Sequence, residues 1–238
     1  MRPLTLAALL LLLIVPATAA QRVVVTHGDV WFEPGHGRAA RRLTTDGRTL
    51  QAALSPDARL VAYVRSTPGL PVETGSGTQE ATELWTVAAD GTRRTMRVRG
   101  HGARPVERIV AAMQDPQFSP GGRRIYFASA AWAVSAAVHV FDLDAGRERF
   151  VAPGWLAEVV QKGRYAGNLL VGQHRYFLAG GSYDWLYLLT PSGREIGPVQ
   201  ADAVPYDSTL ADFRMDSGAG LMAPGTPGAR PAGSAEPD

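Results

Sequence analysis

Two stretches of the 238-residue chain superimpose without a gap at an offset of 64: Leu54-Ser55-Pro56-Asp57-Ala58-Arg59-Leu60-Val61-Ala62-Tyr63 and Phe118-Ser119-Pro120-Gly121-Gly122-Arg123-Arg124-Ile125-Tyr126-Phe127. A chain that repeats itself folds as a series of like units, so this repeat limits the fold more than any single motif. In each copy an apolar residue enters a turn and an aromatic-rich strand leaves it. Proline presets φ for the second turn position, and Asp or Gly follows where the chain reverses. Residues 60–64 and 124–128 then have the β-branched and aromatic content of strands.

A second element recurs four times as a short apolar strand ending in a polar, glycine-closed turn. The copies are Val30-Trp31-Phe32 to Gly37, Leu84-Trp85-Thr86-Val87 to Gly91, Val138-His139-Val140-Phe141 to Gly146, and Leu186-Tyr187-Leu188-Leu189 to Gly193. Their equivalent rings, Trp31, Trp85, His139 and Tyr187, are spaced 54, 54 and 48 residues apart. Joined, the two elements make one unit, a four-stranded antiparallel blade.

These residues resemble the WD-type repeats of the TolB-like propeller family, whose blades run apolar-Ser-Pro-Asp-Gly, an apolar strand, then a strand closed by an Asp-Gly turn. The resemblance covers roughly residues 22–200 and is strongest over 51–98 and 115–151. Ala58 stands where the family favours glycine, and Ser-Pro is absent from the first and fourth units. The resemblance implies an all-β fold, a β-propeller of about four four-stranded antiparallel blades. TolB-like propellers usually have more blades, so a four-bladed ring, an incomplete propeller and one completed by a partner all stay open. Val23-Val24-Val25 is a candidate to pair with the last blade as a closing strap.

The N-terminus says where such a protein goes. Met1-Arg2-Pro3 is a basic start, Leu4–Val15 is apolar, and Ala17-Thr18-Ala19-Ala20 offers small residues for a signal peptidase. An apolar run of about 12 residues is well short of the roughly 20 needed to span a bilayer. Residues 1–20 therefore read as a signal peptide cleaved after Ala19 or Ala20, which makes the mature chain periplasmic and soluble, with no transmembrane anchor. The chain has no cysteine, which excludes a lipoprotein anchor, disulfides, thiolate metal sites and a cysteine nucleophile. The formal charge is +2 and the basic residues are scattered, so no nucleic-acid patch is indicated.

Residues 21–215 are expected to form the propeller-type domain, and the Pro- and Gly-rich tail 216–238 to be disordered. Two insertions stand out, because loops of a repeat often line its binding face. Ser66–Thr82 reads as a long loop between two strands of the second unit. Gly100–Asp115, between the second and third, has room for a helical turn.

Candidate chemistry is sparse. Asp142-Leu143-Asp144 superficially resembles a calcium loop, but lacks the third oxygen ligand and the terminal glutamate of one, and serves equally as a blade turn. The five histidines share no metal-ligand spacing, and His139 reads as a packed ring. No G-x-S-x-G elbow occurs. No catalytic residue, metal ligand or cofactor is assigned.

The segment His174–Trp185 is the most unusual, with polar and aromatic residues around a Gly180-Gly181-Ser182 turn. Tyr183 and Trp185 offer flat faces with polar tips, and Arg175 and Asp184 can fix a charged or hydroxylated group. These four are the candidate ligand- or partner-binding residues. The expected function is a non-catalytic module that binds another protein or a cell-envelope component. The alternatives are a sensor of small molecules or glycans using the 174–185 hairpin, and a metal-dependent hydrolase with acidic ligands gathered on the propeller axis.

Overall fold

The computed structural model describes residues 20–199. The leader, apart from Ala20, and the 216–238 tail lie outside the described residues. Within them, β1 (Arg22–Thr26), β2 (Asp29–Glu33) and β3 (Arg41–Arg42) form a three-stranded sheet. Three four-stranded sheets follow in chain order. The second blade holds β4 (Thr49–Leu54), β5 (Leu60–Thr74), β6 (Gly77–Ala88) and β7 (Thr95–Arg99). The third holds β8 (Gln114–Phe118), β9 (Arg124–Ala130), β10 (Ala136–Asp142) and β11 (Arg147–Pro153). The fourth holds β12 (Trp155–Val159), β13 (Leu169–Tyr176), β14 (Ser182–Leu189) and β15 (Glu195–Pro198). The remaining element is a 3-10 turn at Val106–Arg108, inside the insertion expected to hold one. No helix among the described residues is long and apolar enough to cross a membrane.

The repeated Ser-Pro turns form as their residues dictate. Ser55 Oγ accepts the Leu60 N–H at 2.9 Å and donates to Asp57 Oδ1 at 2.6 Å. Ser119 Oγ likewise accepts the Arg124 N–H at 3.1 Å. The four aligned rings share one register. Facing them across the sheet on the preceding strand are Val24, Tyr63, Phe127 and Val171, and on the following strand Arg42, Met96, Phe150 and Pro198. Trp31 therefore lies on the counterpart of a third strand. β1, β2 and β3 are the second, third and fourth strands of a blade whose first strand is absent from the described residues.

The links between blades agree with this numbering. Each accepting carbonyl lies three residues before a ring: Thr49 N–H bonds Gly28 O, Gly100 N–H bonds Thr82 O, and Gly154 N–H bonds Ala136 O, each at 2.8 Å. Val23–Val25 thus pairs with β2 inside the first blade, held there by a two-residue turn, and among the described residues it makes no pairing with the last blade.

Successive blades pack face to face through apolar cores, which is how a half-exposed sheet hides both faces. Val30, Phe32 and Leu43 meet Val61, Tyr63 and Val87; Ala62, Val64 and Leu84 meet Phe118, Ile125 and Phe127; Val138, Val140 and Val151 meet Leu169, Val171 and Tyr187. Among the described residues no cluster joins the fourth blade to the first. The first strands lie beside one another, β4 by β8 and β8 by β12, with β1 beside β4, which marks them as the inner rim of the array.

Candidate interaction face

Strand alternation sorts the loops by end. The hairpins between second and third strands, and the links to the next blade, share one end, here called the hairpin end. There, residues 66–82 are not the open loop expected from their Pro and Gly content. β5 and β6 continue as a paired arm, Val72 opposite Gln79 and Thr74 opposite Gly77, while a bulge between Ser66 and Pro71 absorbs Pro68, Gly69 and Leu70. The arm packs Val72 and Ala81 against Ile109 and Ala111 of the 100–113 insertion, and Gly75 N–H bonds Ala131 O of the third blade's hairpin at 2.6 Å. Ser129 Oγ ties the same insertion down, accepting Ala111 N–H at 2.9 Å and donating to Ile109 O at 3.0 Å.

The 174–185 segment forms the corresponding hairpin of the fourth blade. Strand β13 ends at Tyr176, because the reversal takes five residues. Gly180 N–H bonds Phe177 O and Phe177 N–H bonds Gly181 O, both at 3.1 Å, with Gly180 and Gly181 at φ +97° and +85°. Such φ values suit glycine.

Directly opposed residues share a face. Arg175 lies opposite Tyr183 and Gln173 opposite Trp185, so Arg175, Tyr183 and Trp185 come together on the side facing the third blade. Asp184 does not join them. It lies opposite His174 on the other face, exposed, its carboxylate 2.9 Å from His174 Nδ1. Tyr183 and Trp185 sit in a row of four rings: Phe177–Tyr183 centroids are 4.5 Å apart, Tyr183–Trp185 4.7 Å and Trp185–Tyr187 6.4 Å. Arg175 sits 3.7 Å over the Tyr187 ring, bonds Glu195 Oε2 at 2.5 Å and also reaches Gln173 Oε1. Burial pulls the Arg175 pKa down, but Glu195 and the flanking tyrosines push it further up, so the guanidinium stays charged. Burial, and then a hydrogen bond with Tyr183, raise the Tyr187 phenol far above its ordinary value against the opposing pull of Arg175.

Beside this stack a cleft of about 270 Å³ runs between the third and fourth blades, bordered by Ser135, Pro153, Gln173, His174, Arg175 and Glu195. Sequence reasoning did not single out Gln173, Glu195 or Ser135. Gln173 lies one residue outside the segment it chose, and Glu195 reaches Arg175 from a strand twenty residues on. His139 is fully buried as the packed ring expected, stacked 5.6 Å from Phe127, with Nδ1 2.5 Å from Glu148 Oε1. Asp142 closes its own turn through the Asp144 and Ala145 N–H groups at 3.1 and 3.0 Å. Among the described residues no group of three or more His, Asp or Glu side chains gathers where a metal could be held.

Apolar exposure marks the hairpin end. Of the eight large apolar side chains exposed among the described residues, Leu70, Val134, Tyr176, Phe177 and Leu178 lie on its three hairpins, each at least half exposed. Leu70 is on the second blade, Val134 on the third and the other three on the fourth.

No known family's sequence profile matches the chain, and no curated protein resembles it in sequence. Solved structures do. One is the β-propeller domain of the Trilobed protease from Pyrococcus furiosus, 10% identical, covering 75% of this chain and 52% of that one at a TM-score of 0.47. Another is dipeptidyl peptidase 4 of Porphyromonas gingivalis, 11% identical, covering 76% and 31% at 0.50. A third is a putative TolB from Agrobacterium tumefaciens, 12% identical, covering 76% and 78% at 0.33. The chain spans about half the length of the first and a third of the second. With the sheet order and register above, the likeness is one of fold: the chain is an incomplete four-bladed β-propeller.

Proposed function

We propose that this protein is a non-catalytic interaction module of the periplasm, and that its hairpin end binds another protein of the cell envelope. One observation carries the reading: three successive blades each present exposed apolar side chains at the same end. Large apolar side chains exposed together at one end of a molecule are a feature of interaction sites, unlike single ones scattered over the surface. The aromatic stack of Phe177, Tyr183 and Trp185 beside the anchored Arg175 has the composition of an interface centre, which favours Trp, Tyr and Arg. The sequence resemblance to TolB-like proteins and the signal-peptide pattern support the same setting. Site-specific photo-cross-linking tests it. A photoreactive residue at Leu178 or Val134 should capture one discrete partner from envelope extract, whereas the same group at Asp144, at the opposite end, should not. Equal labelling from both ends would defeat the proposal.

A second reading, a small-molecule or glycan sensor, rests on the 270 Å³ cleft and on Trp185 Nε1, which is buried without a hydrogen-bond partner. Ligand pockets usually start at about 300 Å³, and Arg175 is already held by Glu195 and Gln173, so this reading ranks second.

A further inference from the structure

Scattered along the sequence, the basic residues are not scattered in the fold. Segments 38–48 and 89–99 hold eight arginines against two carboxylates, Asp46 and Asp90. The other described residues carry thirteen Arg and Lys side chains against fourteen Asp and Glu. The whole positive surplus of the described residues therefore falls on two short segments. These are the outer strands of the first two blades, β3 and β7, with their flanking turns and links.

The fold brings the two segments together. Arg41 Nη1 donates to Ala89 O at 3.0 Å, and Leu43 shares a core with Ala89. From the other side of the seam Arg94 reaches Asp46 at 2.8 Å. Little of the charge is cancelled there. Asp46 is shared between Arg94 and Arg65, Asp29 takes Arg42, and Glu83 takes Arg99. Arg38, Arg41, Arg48 and Arg93 are exposed and form no ion pair among the described residues. Met96, also exposed, lies on β7 opposite the half-buried Trp85, on the face toward the first blade. Charge on an outer strand guards an open edge against pairing. Arg38, which closes a turn, and Arg48, in the link between blades, guard no edge, so that purpose does not account for the surplus.

We propose that this seam docks on an anionic phospholipid surface, with its guanidinium groups against the headgroup phosphates. An outward-facing edge of one predominant sign suits a ligand that is itself an extended sheet of anions, and a guanidinium fork matches two phosphate oxygens. Met96 beside Trp85 adds an apolar group and an amphipathic ring of the kind that settles at a membrane–water boundary. None of the four unpaired arginines lies on the three exposed hairpins, so the proposal stands apart from the binding role of that end.

Co-sedimentation of the full-length protein with vesicles tests it. Vesicles of equal parts phosphatidylcholine and phosphatidylglycerol should bind at least tenfold more tightly than phosphatidylcholine alone, and rising salt should weaken that binding. Arg38→Gln/Arg48→Gln/Arg93→Gln should lose at least tenfold. Arg104→Gln/Arg108→Gln/Arg147→Gln removes as much charge from exposed positions elsewhere and should bind as wild type does. Equal losses in the two triple variants would overturn the proposal, because net charge alone would then explain binding; so would equal binding to neutral vesicles. Inorganic polyphosphate bound as tightly as the anionic vesicles would assign the seam to a soluble polyanion instead and overturn it too. A second readout leaves every arginine in place. The natural chain has no cysteine, so Met96→Cys carries a single environment-sensitive dye. Its emission should shift to the blue on anionic vesicles, while the same dye on Val134→Cys should not respond. No shift at position 96, or equal shifts at both positions, would count against docking through this seam.

Discussion

At the turn that enters β5, Ala58 holds φ +56°, the left-handed region its counterpart Gly122 occupies at +68°. A side chain there costs about 1–2 kcal/mol, partly offset by the greater unfolded-state freedom of glycine. Ala58→Gly should therefore stabilise the fold by ~0.5 kcal/mol, read as a higher urea midpoint at unchanged slope; a lower midpoint would remove the strain argument. Asp29 gives a pH prediction. Its carboxylate is buried, which alone would raise its pKa, but Arg42, the Gly47 N–H and Thr44 pull it below the ordinary value. A depressed folded pKa supplies stability above the unfolded pKa of about 3.9 and loses it as pH falls through the folded value. The wild-type advantage over Asp29→Asn should persist from neutral pH to about 4 and shrink below that; an advantage independent of pH would mean that Asp29 acts by shape alone. Asp184 behaves differently, since its exposed carboxylate meets only His174. Asp184→Asn should change stability by less than ~0.5 kcal/mol. A larger loss in a melting curve would contradict its placement on the outer face.

The fourth-blade hairpin shows what a sequence pattern carries and what it does not. The equivalence of Trp31, Trp85, His139 and Tyr187, inferred from spacing, reappears as one register on the third strand of every blade. Arginine over the ring was not legible, yet it recurs at Trp31, Trp85 and Tyr187, supplied by Arg42, Arg65 and Arg175 from strands at different places in their blades. That Asp184 lies on the other face follows from alternation once the turn is fixed, but Gly-Gly-Ser does not fix the turn's length. Close packing inside the blade was also hidden. A Cβ on Gly172 would lie 2.2 Å from the Trp155 ring. Gly172→Ala should displace that ring and destabilise by about 1–3 kcal/mol, while Trp155 fluorescence shifts; an unperturbed spectrum and stability would refute the contact. A Cβ on Gly181 would meet only Phe177 Cδ2, at an ordinary contact distance of 4.0 Å, while φ is +85°, so the cost of Gly181→Val should be mainly backbone strain, roughly 1–3 kcal/mol.

Across the whole molecule, the four units were legible because turn residues and rings repeat, whereas the missing strand was not, since the first copy begins inside its repeat. The ends of the array are finished differently from its middle. Where the other three blades bury the pairs Val61–Val87, Ile125–Phe141 and Leu169–Leu189, the first blade has Arg22 opposite Glu33, joined at 2.5 Å. That ion pair makes this part of its outer face polar, as expected of a terminal unit. On the fourth blade, the longer 160–168 turn folds Val160 and Tyr165 over Leu170, Leu186 and Leu188. The four blades are thus held as one arc whose three hairpins expose apolar side chains at a single end. The most direct test is a triple variant, Leu70→Ser/Val134→Ser/Phe177→Ser, compared with wild type for thermal stability and for capture of the cross-linked envelope partner. All three side chains are exposed, so the melting temperature should move by no more than a few degrees while capture falls at least tenfold. Undiminished capture by a folded triple variant would contradict the interaction face.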